Sequence, residues 1–186
     1  HKSPREFVYS ARDLWDEVLE QSRAITTHNY RYIKNNITNQ SHDAHQAYLE
    51  FHRPAVHIMR GINEKGNLTN LQQQFFADTK EPEELYDIIN DPFETKNLIH
   101  DFEYIDIANS MRAYYREWNS VNHDYGFEPI NWKNAPPPKA PKIMKWVEKE
   151  KPEVIEQMKQ GVEPGFRTIG IEYKKYKNAK SIKNEH

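Results

Sequence analysis

Apolar and polar positions alternate unevenly along the chain, and the changes of period divide it into elements. Glu6 to Ser10 carries the β-branched and aromatic content of a short strand, and the polar run Ala11 to Glu17 reads as a loop. Ser22–Thr27 and Tyr30–Asn35 then read as a hairpin, with His28-Asn29 as a two-residue turn that needs positive φ. Residues 36–54 are polar and unpatterned, and Pro54 stops any helix running through them. A helix is expected from about Ala55 to Glu64, ending near Gly66. Thr69 can cap a second short one, with Leu71 and Phe75 on one face.

Glu84 to Ile88 alternates like a strand, and Asp91-Pro92-Phe93-Glu94 is a compact turn signal, with an Asp cap, a Pro at a first helical position and an acid at the third. From about Phe102 to Asn119 runs the strongest helical pattern. Tyr104, Ile107, Ala108, Met111, Tyr114, Tyr115 and Trp118 fall on one stripe. Ala135 to Pro141 is a stiff Pro-rich arm, 151–160 a short helix, and the Lys- and Asn-rich stretch from Lys174 a fraying tail. Strands and helices without βαβ alternation argue for an α+β fold, a small antiparallel sheet with helices on one face.

Composition changes this picture in one respect. Only 37% of the 186 residues are hydrophobic while 12% are aromatic, so either the core is small and ring-rich or one face is packed on something else. The 26 Lys and Arg against 28 Asp and Glu leave no net field to draw nucleic acid or an anionic membrane. No cysteine is present, which excludes disulfides, thiolate metal sites and a cysteine nucleophile. No apolar run reaches the length of a transmembrane helix. The opening His-Lys-Ser-Pro-Arg without Met reads as an internal point of a longer polypeptide or a processed end.

Candidate chemistry is sparse. His42, Asp43 and His45, followed by His52 and His57, have the residue types of a metal site, but the segment lacks an apolar shell to fix ligands and reads more readily as a solvated loop. Arg12-Asp13 and Asp16-Glu17 follow a strand, where binding residues often sit, and read equally as an exposed, charge-balanced loop. The six glycines are unclustered, so there is no phosphate loop, and no Gly-x-Ser-x-Gly elbow occurs. Taken alone, these residues give an α+β domain with no self-sufficient catalytic set.

Several segments, in order, resemble the C-terminal part of type I sulfatases of the alkaline phosphatase superfamily. Phe7 to Asp13 is similar to a strand-and-loop run ending in Ala-Arg-Asp. Arg23 to Asn35 looks like the hairpin that follows it, and Lys65 to Thr69 with Phe75-Phe76 like the next helical stretch. The sharpest match is Glu84-Leu-Tyr-Asp-Ile-Ile-Asn-Asp-Pro-Phe-Glu-Thr-Lys-Asn-Leu98, which fits E-L-Y-D-x-x-x-D-P-x-E-x-x-N-L throughout. The resemblance runs from about residue 5 to 128. It divides the chain into a subdomain at 1–128 and, at 129–186, an arm, a short helix and a tail that match nothing in the family.

The resemblance implies a sheet of about four strands packed by a long C-terminal helix and set against a large α/β domain. It implies sulfate-ester hydrolysis, with sulfated carbohydrate as substrate, by a formylglycine made within C/S-x-P-x-R and a divalent cation, usually calcium. Neither belongs to this chain: Ser3-Pro4 has the wrong spacing and there is no Asp-Asp cluster. The resemblance therefore implies an N-terminal catalytic domain as partner, on the same polypeptide or a separate one, and an exported protein, periplasmic or extracellular. Arg12, Asp13 and His28 are the expected substrate contacts, an Arg fork suiting sulfate or carboxylate. A phosphodiesterase or phosphonate hydrolase of the same architecture, and a non-catalytic interaction module, are the alternatives.

Overall fold

The computed structural model describes residues 5–16, 18–124 and 140–183, the side chains at 166, 167 and 181–183 excepted. The chain forms two units, the first from the described residues of 1–15, 19–42 and 77–134, the second from those of 16–18, 43–76 and 135–186.

The first unit is a four-stranded sheet in the order β1 (Val8–Trp15), β2 (Val18–Thr26), β3 (Tyr30–Asn35), β4 (Glu83–Asp87), with a long helix packed on it. β3 runs antiparallel to both neighbours, with Ile25 opposite Tyr32 and Tyr32 opposite Leu85. Side chains alternate across a strand, so this register stacks those three on one face. All three are buried, under Ala108, Met111 and Tyr115 of helix α4 (Ile105–Asn122). Of the stripe expected on this helix, Ala108, Met111 and Tyr115 are buried, Tyr104, Ile107 and Trp118 half-buried, and Tyr114 exposed. Tyr114 and Trp118, farther along, receive rings from the start of the chain, Phe7 at 5.1 Å from Tyr114 and Tyr9 stacked at 4.9 Å on Trp118. The expected α+β class and four-strand sheet are what the structure has.

Two local expectations need correction. Residues 11–15 are strand, not loop: a strand at the edge of a sheet tolerates charge, and the chain turns only at Asp16, with φ +51°. The β2–β3 connection needs no positive φ, because Thr27 closes it instead. Its Oγ1 accepts from the Tyr30 amide at 3.0 Å and its amide donates to the Tyr30 carbonyl at 2.8 Å. Asp91-Pro92-Phe93-Glu94 forms the turn that its residues signal. Glu94 has φ +54°, which an α-helix cannot continue through, and the Asp91 carboxylate accepts from the amides of Thr95 and Lys96 at 2.6 and 2.8 Å. The helical segment begins at Phe102, capped by Asp101.

The second unit is helical. It comprises α1 (Ala47–His52), α2 (Pro54–Glu64), α3 (Asn70–Gln73), α5 (Ala140–Glu150), α6 (Pro152–Lys159) and α7 (Phe166–Lys183). Pro54 opens α2, as its fixed φ and missing N–H suit a first helical position. Thr69 caps α3 in a full capping box with Gln72. The core gathers Phe51, Ile143, Trp146, Val147, Val154, Met158 and Ile169. Residues 43–76 thus group with 140–183 in the second unit. The stretch from Lys174 is helix, not a fraying tail, because Tyr173 and Tyr176 lean on Trp146 with ring centroids 5.4 and 5.8 Å away. Residues 135–139 of the Pro-rich arm lie outside the described residues.

Candidate functional site

The family-like motif at 84–98 is explained by backbone hydrogen bonding rather than chemistry. Asn97 Oδ1 accepts from the amides of Leu85 (2.9 Å) and Ile99 (3.0 Å), its Nδ2 donates to the Glu83 carbonyl (3.3 Å), and the Leu98 amide donates to the Leu85 carbonyl (2.8 Å). The segment folds back along β4 and satisfies its outer edge, which would otherwise present unpaired amides. Glu94, held in its left-handed conformation, reaches across to Arg31 on β3 at 2.5 Å. Leu85, Asn97 and Leu98 of the motif thus serve the sheet edge, while Asp87 and Asp91 accept from the amides of the turns beside it.

Arg23 is the most constrained charge of the first unit. It lies on β2 at 3% exposure. Its Nε and Nη2 fork onto Asp124 (2.5 and 3.0 Å), and its Nη1 donates to Asp13 Oδ1 (2.7 Å) and the Ser22 carbonyl (2.8 Å). His123 ends α4 with φ +49°, and that left-handed residue turns Asp124 onto the guanidinium. The Asp124 bond, then the Asp13 bond, hold the guanidinium pKa up against its burial. Sequence reasoning missed Arg23, since a charged residue in a strand gives no sign of which carboxylates will meet it.

Of the three expected substrate contacts, Asp13 is thus committed to Arg23. Arg12 is exposed, its guanidinium 5.0 Å from the ring centre of Trp15. Ala11, Arg12, Asp13, Leu14 and Trp15 line one surface recess of about 370 Å³. His28 is exposed at the β2–β3 turn, beside a different recess of about 280 Å³ lined by Thr27, Tyr30, Asp106, Ile107, Ser110, Met111 and Tyr114. Arg23, which touches Asp13, lies five residues before His28, roughly 17 Å at the rise of an extended strand. The structure brings Arg12 and Asp13 together and places His28 apart from them.

The histidines fall into separate roles. In the first unit, burial and then Lys80 push His42 down, while Lys80 itself is buried in an ion pair with Glu20. In the second unit Glu50 is buried and is the hub of a polar network. His45 Nδ1 donates to its carboxylate at 2.9 Å, Arg60 donates twice at 2.8 and 2.9 Å, and His57 Nε2 donates to its carbonyl at 2.7 Å. Arg60 also forks onto Asp43, at 2.7 Å on each oxygen. His52 pairs with Glu163 at 2.5 Å. Among the described residues no three His, Asp or Glu side chains converge as cation ligands, so the residues present do not fit a calcium site.

A small antiparallel sheet backed by one long helix is an α+β arrangement. No family model matches the chain. An ulvan-active sulfatase of Formosa agariphila is 31% identical over 114 residues, which are 61% of this chain and 19% of that protein. Two solved structures, of a sulfatase-like protein of Bacteroides thetaiotaomicron and of a 2-O GAG sulfatase, are each 20% identical over 67% of this chain and 18% of theirs, with TM-scores of 0.40 and 0.39. The chain is similar to part of a sulfatase, and it spans about a fifth of the length of the curated relative it matches.

Proposed function

We propose that the chain is the C-terminal portion of an exported sulfatase that hydrolyses sulfate esters of a sulfated carbohydrate, and that it supplies scaffold and part of the substrate mouth. The observation that carries the reading is the 31% identity over 114 residues to a sulfatase whose name states activity on ulvan. The structure of the 84–98 segment supports it: several motif positions act together on one sheet edge and its turns, as residues of a shared fold would. Nucleophile and cation would both come from the catalytic domain that is the proposed partner, since the sequence has no Cys for a formylglycine and the described residues fit no cation site. That domain would supply the attack on sulfur; this chain's residues would bind and orient.

Within that reading, Arg12 is the group best placed to meet substrate, being exposed at a recess and held by Trp15 rather than by a carboxylate. Asp13 would act through Arg23 by fixing the strand under it. His28 would contact a more distant part of a long substrate. No described helix is long and apolar enough to cross a membrane. The test is sulfate release from a sulfated polysaccharide by the longer protein that carries this chain, with phosphate release from a diester measured beside it. Sulfate release with a formylglycine peptide by mass spectrometry is expected. Phosphate release alone, or a frame without C/S-x-P-x-R, would overturn the reading in favour of the phosphodiesterase or the non-catalytic module.

A further inference from the structure

We propose that α7 is a binding surface for a sulfated polysaccharide chain; the choice of polymer rests on the sulfatase reading above, the polyanion affinity does not. The first observation is charge. Residues 166–183 hold Arg167, Lys174, Lys175, Lys177, Lys180 and Lys183 against the single acid Glu172, a net of five positive charges in a chain whose overall charge is −2. The helix thus carries an excess of positive charge that the chain as a whole does not.

The second observation is how those charges are presented. Lys174, Lys175, Lys177 and Lys180 are exposed. The one acid does not screen them, because the Glu172 carboxylate is taken by Lys151 of the α5–α6 junction at 2.6 Å. Lys174, Lys177 and Lys180 stand three residues apart, so successive ammonium groups are neighbours about 4.5 Å apart along the helix axis. A row of point charges of this kind suits a linear polymer with repeated anions better than one compact anion, since each Lys offers three rotatable donors and no fixed fork.

The third observation is aromatic. Tyr173 and Tyr176 are half-buried, with rings 6.5 Å apart and near parallel at 21°, and Lys180 Nζ lies 5.8 Å over the Tyr176 ring. The part of these half-buried rings that solvent reaches adds apolar contact for a sugar beside the ammonium groups. A lipid surface is disfavoured by the same packing. An interfacial helix needs its apolar side free, whereas Ile169, Tyr173 and Tyr176 of α7 pack with Trp146 in the core of the second unit.

The test uses the whole 186-residue chain. Fluorescent dextran sulfate is titrated at low and at physiological salt, with unsulfated dextran, phosphatidylserine vesicles and a single-stranded RNA homopolymer as parallel titrants. Binding of dextran sulfate alone is expected, weakening as salt screens the charges. The combined variant Lys174→Gln, Lys177→Gln, Lys180→Gln is expected to lose at least about tenfold in affinity, while Lys65→Gln loses none; glutamine keeps helix propensity, so thermal melting should stay put. A readout that needs no variant is protection of Lys174 and Lys177 from acetylation by the bound polymer. No binding, unchanged affinity in the triple variant, absent protection, or tighter binding to vesicles or RNA would each overturn the proposal. Because binding is read without turnover, polymer capture without sulfate release by the longer protein would fault the sulfatase reading alone. Sulfate release with an unaffected triple variant would fault this inference alone.

Discussion

Acidification should open α1 and α2 through one residue, Glu50. Its side chain is fully buried, which by itself raises a carboxyl pKa; the hydrogen bonds from His45 and Arg60 outweigh that and hold it down at about 2, against an ordinary value of 4.5. A carboxylate whose folded pKa is depressed contributes stability above the unfolded value and loses it as pH falls toward the folded one. The Glu50 contribution is therefore complete above pH 4.5 and disappears as pH falls toward about 2. A displacement of that size corresponds to about 3 kcal/mol, a large part of what holds a small helical unit together. His45 works in the opposite sense. The Glu50 bond raises its pKa above 6.5, so its share is present below pH 6.5 and lost as pH rises through the raised value. The ring is more than half exposed, so that share is small. The two together predict greatest local stability between pH 4.5 and 6.5.

The assay is residue-resolved amide hydrogen exchange, corrected for intrinsic chemistry, across that range and down to pH 3, in the parent and in Glu50→Gln. Opening energies of α1 and α2 amides should fall steeply below pH 4.5 in the parent, and the fall should be absent from the variant. A flat acid limb in the parent, or the same limb in Glu50→Gln, would refute the assignment of the effect to this carboxylate.

Four further outcomes follow from the structure. Asp124→Ala strips the fork from a buried guanidinium and should cost the first unit about 3–5 kcal/mol in urea unfolding, while Asp13→Ala, on a partly exposed carboxylate, should cost clearly less. Leu85→Ala removes a fully buried side chain from beneath α4 and should cost about 2–5 kcal/mol by the same measurement. Thr69→Ala breaks the capping box of an exposed helix and should cost about 1 kcal/mol at most, read as local exchange at Gln72. Arg12→Ala in the longer protein should raise KM for a sulfated polysaccharide with little change in Tm; an unchanged KM with a lowered Tm would make Arg12 a structural residue.

The elements legible in the sequence are those whose pattern comes from burial on a single face. The α4 stripe and the β3 alternation could be read because Tyr32, Leu85, Met111 and Tyr115 all face one core. What escaped reading was decided by polar partners distant in sequence. Residues 11–15 look like a loop until Asp13 meets Arg23, and Arg23 looks exposed until Asp124 arrives from the end of α4, 101 residues away. Glu50 is the sharper case. Within a polar run around His42, Asp43 and His45, nothing local says that one carboxylate will be buried completely, because its partner Arg60 sits ten residues on, beyond the Pro54 break. The same residues look like a metal cluster for a physical reason: a buried carboxylate ringed by His and Arg solves with protein cations the charge problem that a metal ion would otherwise solve. The histidine-rich segment and the family motif at 84–98 thus teach one lesson. In both, residue types that usually signal chemistry are consumed in satisfying buried charges and a sheet edge, and the exposed cations Arg12 on β1 and Lys174 and Lys180 on α7 are where binding is to be sought.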